Sequence, residues 1–255
     1  MSGTQDLVIA GGVESMSQVP IGSPVTVAKE LGNPFTGRGE NWLSAMLTMN
    51  ERLGRDYHKP HFGIDDVTTP EGTVSVTEEM ICDKPFASLL RFRRNSQRKD
   101  PKVLVVAPMS GHYSTLLRDT VQTLLKDHDV YITDWIDARM VPLSEGSFDL
   151  DDYIDYVIEM LHLLGPETHI VGVCQPSVPV LAAVALMESR SDPNVPLSMT
   201  LMGGPIDTRC NPTAVNDLAG EKDIDWFESN AIMQVPFPNP GFMRKVYPGF
   251  LQLTG

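Results

Sequence analysis

The chain has 255 residues, 42% of them hydrophobic and 21% charged, and a formal net charge of −13. The composition is that of a globular protein, and the acidity argues against a nucleic-acid partner, which needs a basic face for phosphates. No stretch is apolar for long enough to cross a bilayer, and the opening MSGTQDLVIAGGVE lacks the basic and apolar parts of a signal peptide, so a cytoplasmic protein is expected.

Along the chain, residues 6–10 form a short apolar run ending at Gly11-Gly12, and a Pro/Gly/Ser-rich stretch from Pro20 to Gly39 reads as a linker. Trp42, Met46, Met49, Leu53 and Tyr57 recur at helical spacing. Thr73–Thr77 and Ala87–Phe92 alternate like an antiparallel strand pair, interrupted at Pro85. The basic run Arg91-Phe-Arg-Arg94, with Arg98 and Lys99, reads as a solvated loop in an acidic neighbourhood.

A different rhythm then begins. Apolar strands are expected at Val103–Ala107, Val130–Trp135, His169–Cys174 and Ser198–Met202. Helices are expected between them at Ser114–Leu125, Tyr153–Leu164 and Val178–Ser189, the second entered through Asp149, Asp151 and Asp152 and closed by Gly165-Pro166. Strands that are apolar on both faces and alternate with helices imply a parallel sheet covered on both sides. Chemistry in such sheets collects at the carboxyl ends of the strands, here the loops after Ala107, Trp135, Cys174 and Met202.

Of the three cysteines, Cys82 and Cys210 have no context beyond packing, and no CxxC pair or Cys/His cluster suggests a disulfide framework or a metal. Cys174 is different. It stands where a buried strand turns abruptly into a helix, within Gly172-Val-Cys-Gln-Pro176, the arrangement of a nucleophile elbow with Cys for Ser and Pro for the second Gly. The following helix would offer its N-terminus to the thiol. On pattern alone two readings stand: a nucleophile, or an inert cysteine packed at a strand end.

Several long strings resolve that choice. VCQPSVPVLAA (173–183) is similar to the cysteine-type active-site box of intracellular polyhydroxyalkanoate (poly-3-hydroxybutyrate) depolymerases. So, in order, are ERLGRDYHKPHFGI (51–64), KPFASLLRFRR (84–94), VLVVAPMSGHYSTLLRDTVQTLL (103–125), VYITDWIDARMVPLSEGSFDLDDYIDY (130–156), LMGGPIDTRCNPTAVN (201–216) and VYPGFLQ (246–252). The resemblance runs from about residue 33 to residue 255. It implies an α/β class protein with a partial α/β-hydrolase fold, a mostly parallel sheet with helices on both faces and the last strands missing. It also implies hydrolysis of stored polyester, at the granule surface in the cytoplasm, without a cofactor.

The implied mechanism is acyl transfer. Cys174 attacks the ester carbonyl, and backbone N–H groups of Gln175 and of Met109 or Ser110 hold the oxyanion. His112, in the same loop, either shapes that hole or touches substrate, or is a plain loop histidine. The family's acid and histidine belong to a part that follows residue 255, and no histidine occurs after Cys174 in this chain. This polypeptide alone is therefore expected to be inactive or nearly so, with non-catalytic granule binding as the alternative. Asp207 has no histidine to orient and reads as a loop cap.

Residues 2–25, with the string GGVESMSQVP, look instead like a segment of thiolases, the acetyl-CoA acetyltransferases. None of the thiolase catalytic motifs follows, so a thiolase-related acyltransferase is the least favoured function. The expected organisation is a segment and linker over 1–32 and the hydrolase portion over 33–255.

Overall fold

The computed structural model describes residues 59–109, 113–212 and 214–247. The strand expected at 6–10 and the helix expected over Trp42–Tyr57 lie outside the described residues, as does the boundary at residue 32. Contacts divide the chain into two units. Among the described residues the first holds 60–136 and 147–206, and the second holds 59, 137–146 and 207–247.

The first unit is a seven-stranded sheet, in the spatial order β1-β2-β3-β5-β4-β6-β7. Its strands are β1 (Asp66–Thr69), β2 (Gly72–Asp83), β3 (Ala87–Arg94), β4 (Lys102–Val106), β5 (Asp129–Trp135), β6 (Thr168–Val173) and β7 (Ser198–Met202). The pairs β1/β2, β2/β3 and β3/β5 are antiparallel, and β5/β4, β4/β6 and β6/β7 are parallel. An antiparallel lead into a parallel sheet whose strand order reverses between β4 and β5 is the arrangement of an α/β-hydrolase, here with its early strands and central strands in place. Helices α1 (Arg118–Leu124), α2 (Leu150–Leu164) and α3 (Ser177–Ser189) connect the parallel strands, α1 being preceded by a 3₁₀ turn over Ser114–Leu117.

The apolar runs account for the centre. Leu104, Val105, Val106, Val130, Ile132 and Ile170 are fully enclosed, and burying each such side chain is worth about 1.5–3 kcal/mol. Helix α2 turns Tyr153, Ile154, Val157, Ile158, Leu161 and Leu164 inward at the 3–4-residue spacing of an amphipathic helix. Its start is fixed by a capping box: the Asp149 carboxylate accepts from the Asp151 and Asp152 N–H groups, and the Asp152 carboxylate accepts from Asp149 N–H. Gly165, at φ +76°, ends it.

Three expectations need correction. Burial on both faces holds for β4 and β5, whereas β6 alternates between buried and half-buried residues and β7 is half open. The reason is position, since β7 pairs only with β6 among the described residues. The antiparallel pair extends well past Thr77, with Glu78, Glu79 and Met80 facing Phe92, Arg91 and Leu90 across a bulge before Cys82. The basic run is no solvated loop: Arg91–Arg94 end strand β3, and the Arg94 side chain is 6% exposed.

The second unit carries α4 (Ala214–Glu221), α5 (Ile224–Asn230) and a two-residue antiparallel pair, β8 (Met233–Gln234) with β9 (Lys245–Val246). Arg244, buried, organises it by donating to the carbonyl oxygens of Val141, Pro142 and Gly146 at 3.0, 2.6 and 2.7 Å. Gly241 donates to the Arg139 carbonyl at 2.7 Å. A Cβ there would lie 2.7–2.9 Å from the carbonyl oxygens of Ala138, Arg139 and Val141, so only glycine allows this approach.

Candidate active site

Strand β6 ends at Val173, and the next residue breaks the extended backbone. Cys174 has φ +67°, in the left-handed region that an L side chain occupies at a cost of about 1–3 kcal/mol. Its N–H donates to the Met202 carbonyl at 2.7 Å, and its carbonyl accepts from Ser177 N–H at 3.0 Å. The turn is therefore pinned to the end of β7 on one side and to the start of α3 on the other. The thiol is free and half-buried.

Glycines make this turn possible from both sides. A Cβ at Gly172 would stand 3.3 Å from the Val180 side chain and 3.4 Å from Leu201 and the Pro176 carbonyl. A Cβ at Gly204 would overlap the fully buried Ser177 side chain and lie 2.9 Å from the Cys174 carbonyl. In sequence, Gly203-Gly204 reads only as the stop of the strand expected at Ser198–Met202. The pair of glycines after an apolar strand was the available signal, but its partner Ser177 becomes visible only when β6 and β7 are set side by side.

Pro176 replaces the second glycine without disturbing the helix, because a proline at a helix entrance gives up an N–H that has no intrahelical partner. Ser177 N–H is taken by Cys174, and Val178 N–H reaches the Gln175 carbonyl at 3.4 Å. Among the described residues, the Gln175 N–H has no acceptor.

The loop after β4 comes to the same place. Ala107, fully buried, is held by three groups: its N–H donates to Thr133 Oγ1 at 2.9 Å, and its carbonyl accepts from Trp135 Nε1 at 2.7 Å and from the Tyr153 hydroxyl at 3.3 Å. Trp135 and Tyr153 pack edge to face, with centroids 4.5 Å apart. Burial pushes the Tyr153 phenol far above its ordinary range, so it stays a neutral donor. Beyond the loop, the Ser114 hydroxyl donates to buried Asp134 at 2.6 Å. With the backbone anchored at Ala107, the Met109 N–H points to the elbow and donates to Gln175 Oε1 at 2.8 Å.

The structure thus brings together Cys174, Gln175 and Met109. Ser110 and His112 lie outside the described residues. All six histidines precede Cys174. His128 stands just before β5, His162 near the end of α2 and His169 at the start of β6, all at the amino edge of the parallel strands, opposite the elbow. They have local partners there: the Leu124 carbonyl, Asp192 and Ser198 respectively. Asp207 accepts from the Arg209 backbone N–H and guanidinium at 2.9–3.0 Å, and these bonds hold its carboxyl below the usual range. Among the described residues no three His, Cys, Asp or Glu side chains gather as they would around a metal.

Comparison with known proteins gives two local matches in sequence. Residues 203–255 match the family described as PHB de-polymerase C-terminus. A stretch of 44 residues is 49% identical to steroid 3-ketoacyl-CoA thiolase FadA6 of Mycobacterium tuberculosis (strain ATCC 25618 / H37Rv), covering 17% of this chain and 11% of that protein. Similar solved structures include a 2-hydroxy-6-oxo-6-phenylhexa-2,4-dienoate hydrolase from Rhodococcus sp. strain RHA1, at 15% identity and TM-score 0.38 over 52% of this chain and 47% of that one. Naproxen esterase from Bacillus subtilis follows at 14% and 0.39, over 82% of this chain and 64% of that one. A bacterial membrane phospholipase A gives 13% and 0.44, over 91% and 68%. The chain spans less than two thirds of the length of the first two structures. The seven-stranded sheet thus leads into residues 203–255, which match the family described as PHB de-polymerase C-terminus.

Proposed function

We propose that this protein acts on the ester bonds of intracellular polyhydroxyalkanoate, poly-3-hydroxybutyrate, with Cys174 as the nucleophile. The observation that carries the reading is the φ of +67° at Cys174. A strained, half-buried cysteine, kept between a strand and a helix by close glycine contacts, is costly as packing but apt for presenting a thiol above a sheet. The Cys174 sulfur, as thiolate, would attack the carbonyl of a 3-hydroxyacyl unit. The C–O bond to the next unit would break, its alkoxide would leave as an alcohol, and water would hydrolyse the resulting thioester.

Oxyanion stabilisation would come from the N–H groups of Gln175 and Met109, with Ser110 as a further donor and His112 as a substrate contact. Gln175 Oε1 now occupies the Met109 donor, where a neutral carbonyl oxygen stands in for the substrate oxygen. Substrate would displace it and strengthen the bond as negative charge develops.

The sequence after Cys174 supplies no histidine to serve as its base. His128, His162 and His169 are at the other edge of the sheet, and no histidine follows Cys174. This polypeptide by itself would therefore acylate slowly and turn over hardly at all, and it would meet polymer at a granule surface in the cytoplasm without efficient cutting. The thiolase-like segment over 1–32 would stand apart from the depolymerase part over 33–255 and bring no thiolase chemistry.

An ester-release assay on a short 3-hydroxybutyrate oligomer tests this. Wild-type chain should release product no faster than Cys174→Ala. Sustained turnover that disappears in Cys174→Ala would show that a base is present after all.

A further inference from the structure

At the edge of the sheet opposite Cys174, the end of β3, the turn over residues 95–101 and the first residues of β4 and β5 surround an open cavity of about 510 Å³. Its lining includes six cationic side chains, Arg91, Arg93, Arg94, Arg98, Lys99 and Lys102, against two acidic ones, Asp100 and Asp129. In a chain of net charge −13 this is a local inversion of sign.

Part of that charge is already matched. Arg91 makes a two-bond pair with Asp129, at 2.9 and 3.0 Å, and Arg93 faces Glu79 at 3.2 Å. Lys102 Nζ donates to the Leu164 carbonyl. Arg94 and Arg98 are different, because both depend on one carboxylate. Asp100 receives Arg94 Nη2 on one oxygen at 2.5 Å and Arg98 Nη2 on the other at 2.8 Å.

The second terminal nitrogen of each guanidinium, Nη1, is buried and has no hydrogen-bond partner. The Arg94 side chain is 6% exposed, Arg98 21% and Asp100 9%. Two guanidinium groups, each with its Nη1 enclosed, share one negative charge, which leaves an excess positive charge and two unused donor nitrogens, with Lys99 exposed on the same lining. Buried donors in native proteins find partners, and a cationic pair is stable when its remaining protons are taken up.

We propose that this cavity binds a phosphate group, as inorganic phosphate or a small phosphomonoester. A tetrahedral oxyanion with up to two negative charges offers acceptors for both guanidinium groups once a side-chain rotation turns their enclosed Nη1 atoms to the cavity, on whose lining Lys99 also stands. A single carboxylate offers fewer acceptors and half the charge. A long nucleic acid is disfavoured by the acidity of the rest of the chain. The same chemistry could be presented by a free ester or by a phosphomonoester lipid headgroup.

The test uses the whole 255-residue chain at fixed ionic strength, titrated calorimetrically with inorganic phosphate, glycerol 3-phosphate and acetate. A second arm measures retention on phosphatidylcholine vesicles with and without phosphatidic acid. Saturable one-site phosphate binding is expected, at least tenfold weaker in Arg98→Ala and about threefold weaker in Lys99→Ala. Circular dichroism checks each variant; should Arg98→Ala not fold, the exposed Lys99→Ala decides. Vesicle retention that needs phosphatidic acid and is competed away by phosphate assigns a lipid headgroup, and soluble binding without retention assigns a free ester. The proposal is overturned by no saturable phosphate binding, by acetate binding as tightly, or by Lys99→Ala binding like wild type.

Discussion

The two edges of the parallel sheet are built on opposite physical grounds. At the carboxyl edge, β6 and β7 end in glycines, a cysteine in a left-handed conformation and backbone N–H groups, with hardly any charge. At the amino edge, the end of β3 and the starts of β4 and β5 carry guanidinium groups, carboxylates and a lysine capping a helix-end carbonyl. The carboxyl edge stores strain and leaves a donor uncommitted; the amino edge is held by charge pairing in a partly dry setting. One sheet can carry both because its middle, Leu104, Val105, Ile132 and Ile170, is enclosed and supplies the apolar stabilisation that either end draws on.

The contrast predicts which substitutions matter, and why. The largest effect belongs to the amino edge. Asp100→Ala would leave buried Arg94 and half-buried Arg98 without their shared counter-charge, and breaking a buried pair from one side costs about 3–5 kcal/mol. Urea unfolding should show this as a fall in midpoint with an unchanged slope; a loss below about 1 kcal/mol would mean the triad is effectively solvated.

At the carboxyl edge the cost should come from shape. Gly204→Ala drives a methyl into Ser177, and overpacking of this kind costs about 1–3 kcal/mol. Because Ser177 opens the helix behind the elbow, alkylation of Cys174 by iodoacetamide should change rate as well. Unchanged stability and rate would mean that β7 and the elbow are not in contact.

The smallest effect has an unusual sign. Comparing Cys174→Gly with Cys174→Ala removes the thiol in both, yet only glycine relieves φ +67°. Glycine should be the more stable of the two by about 1 kcal/mol or less, after its greater unfolded-state entropy is subtracted. Alanine being the more stable would remove the case for a strained elbow.

How much of this was legible in the sequence differs between the same two regions. Strands β4 to β7 were readable because each is a continuous apolar run, and α2 because Asp149 and Gly165 are chemically suited to its two ends. The elbow was readable because Gly172 and a strand–turn–helix rhythm flank Cys174. By contrast β1 was missed: it is four residues long, with only Val67 and Thr69 buried, too short for periodicity to show. The enclosure of the Arg94 side chain and of the Arg98 Nη1 was also missed, since charge at these positions reads as solvent exposure. Only the return of the chain through Asp100 pairs them, and such pairing is a property of the fold rather than of local pattern. The Met109–Gln175 hydrogen bond joins loops 66 positions apart; the sequence suggested both as donors, but not that the side chain of one occupies the N–H of the other.

The proposed reading is that Cys174 is a presented nucleophile with no histidine after it in the sequence. The most direct measurement is intact-protein and peptide mass spectrometry after exposure to an activated ester, p-nitrophenyl 3-hydroxybutyrate, with release of nitrophenol followed in parallel. The account predicts one 3-hydroxybutyryl adduct, on Cys174, forming with a burst of about one equivalent of nitrophenol, persisting for lack of efficient hydrolysis, and absent in Cys174→Ala. Adducts spread over Cys82 and Cys210 in proportion to their exposure, with Cys174 unmodified, would contradict it.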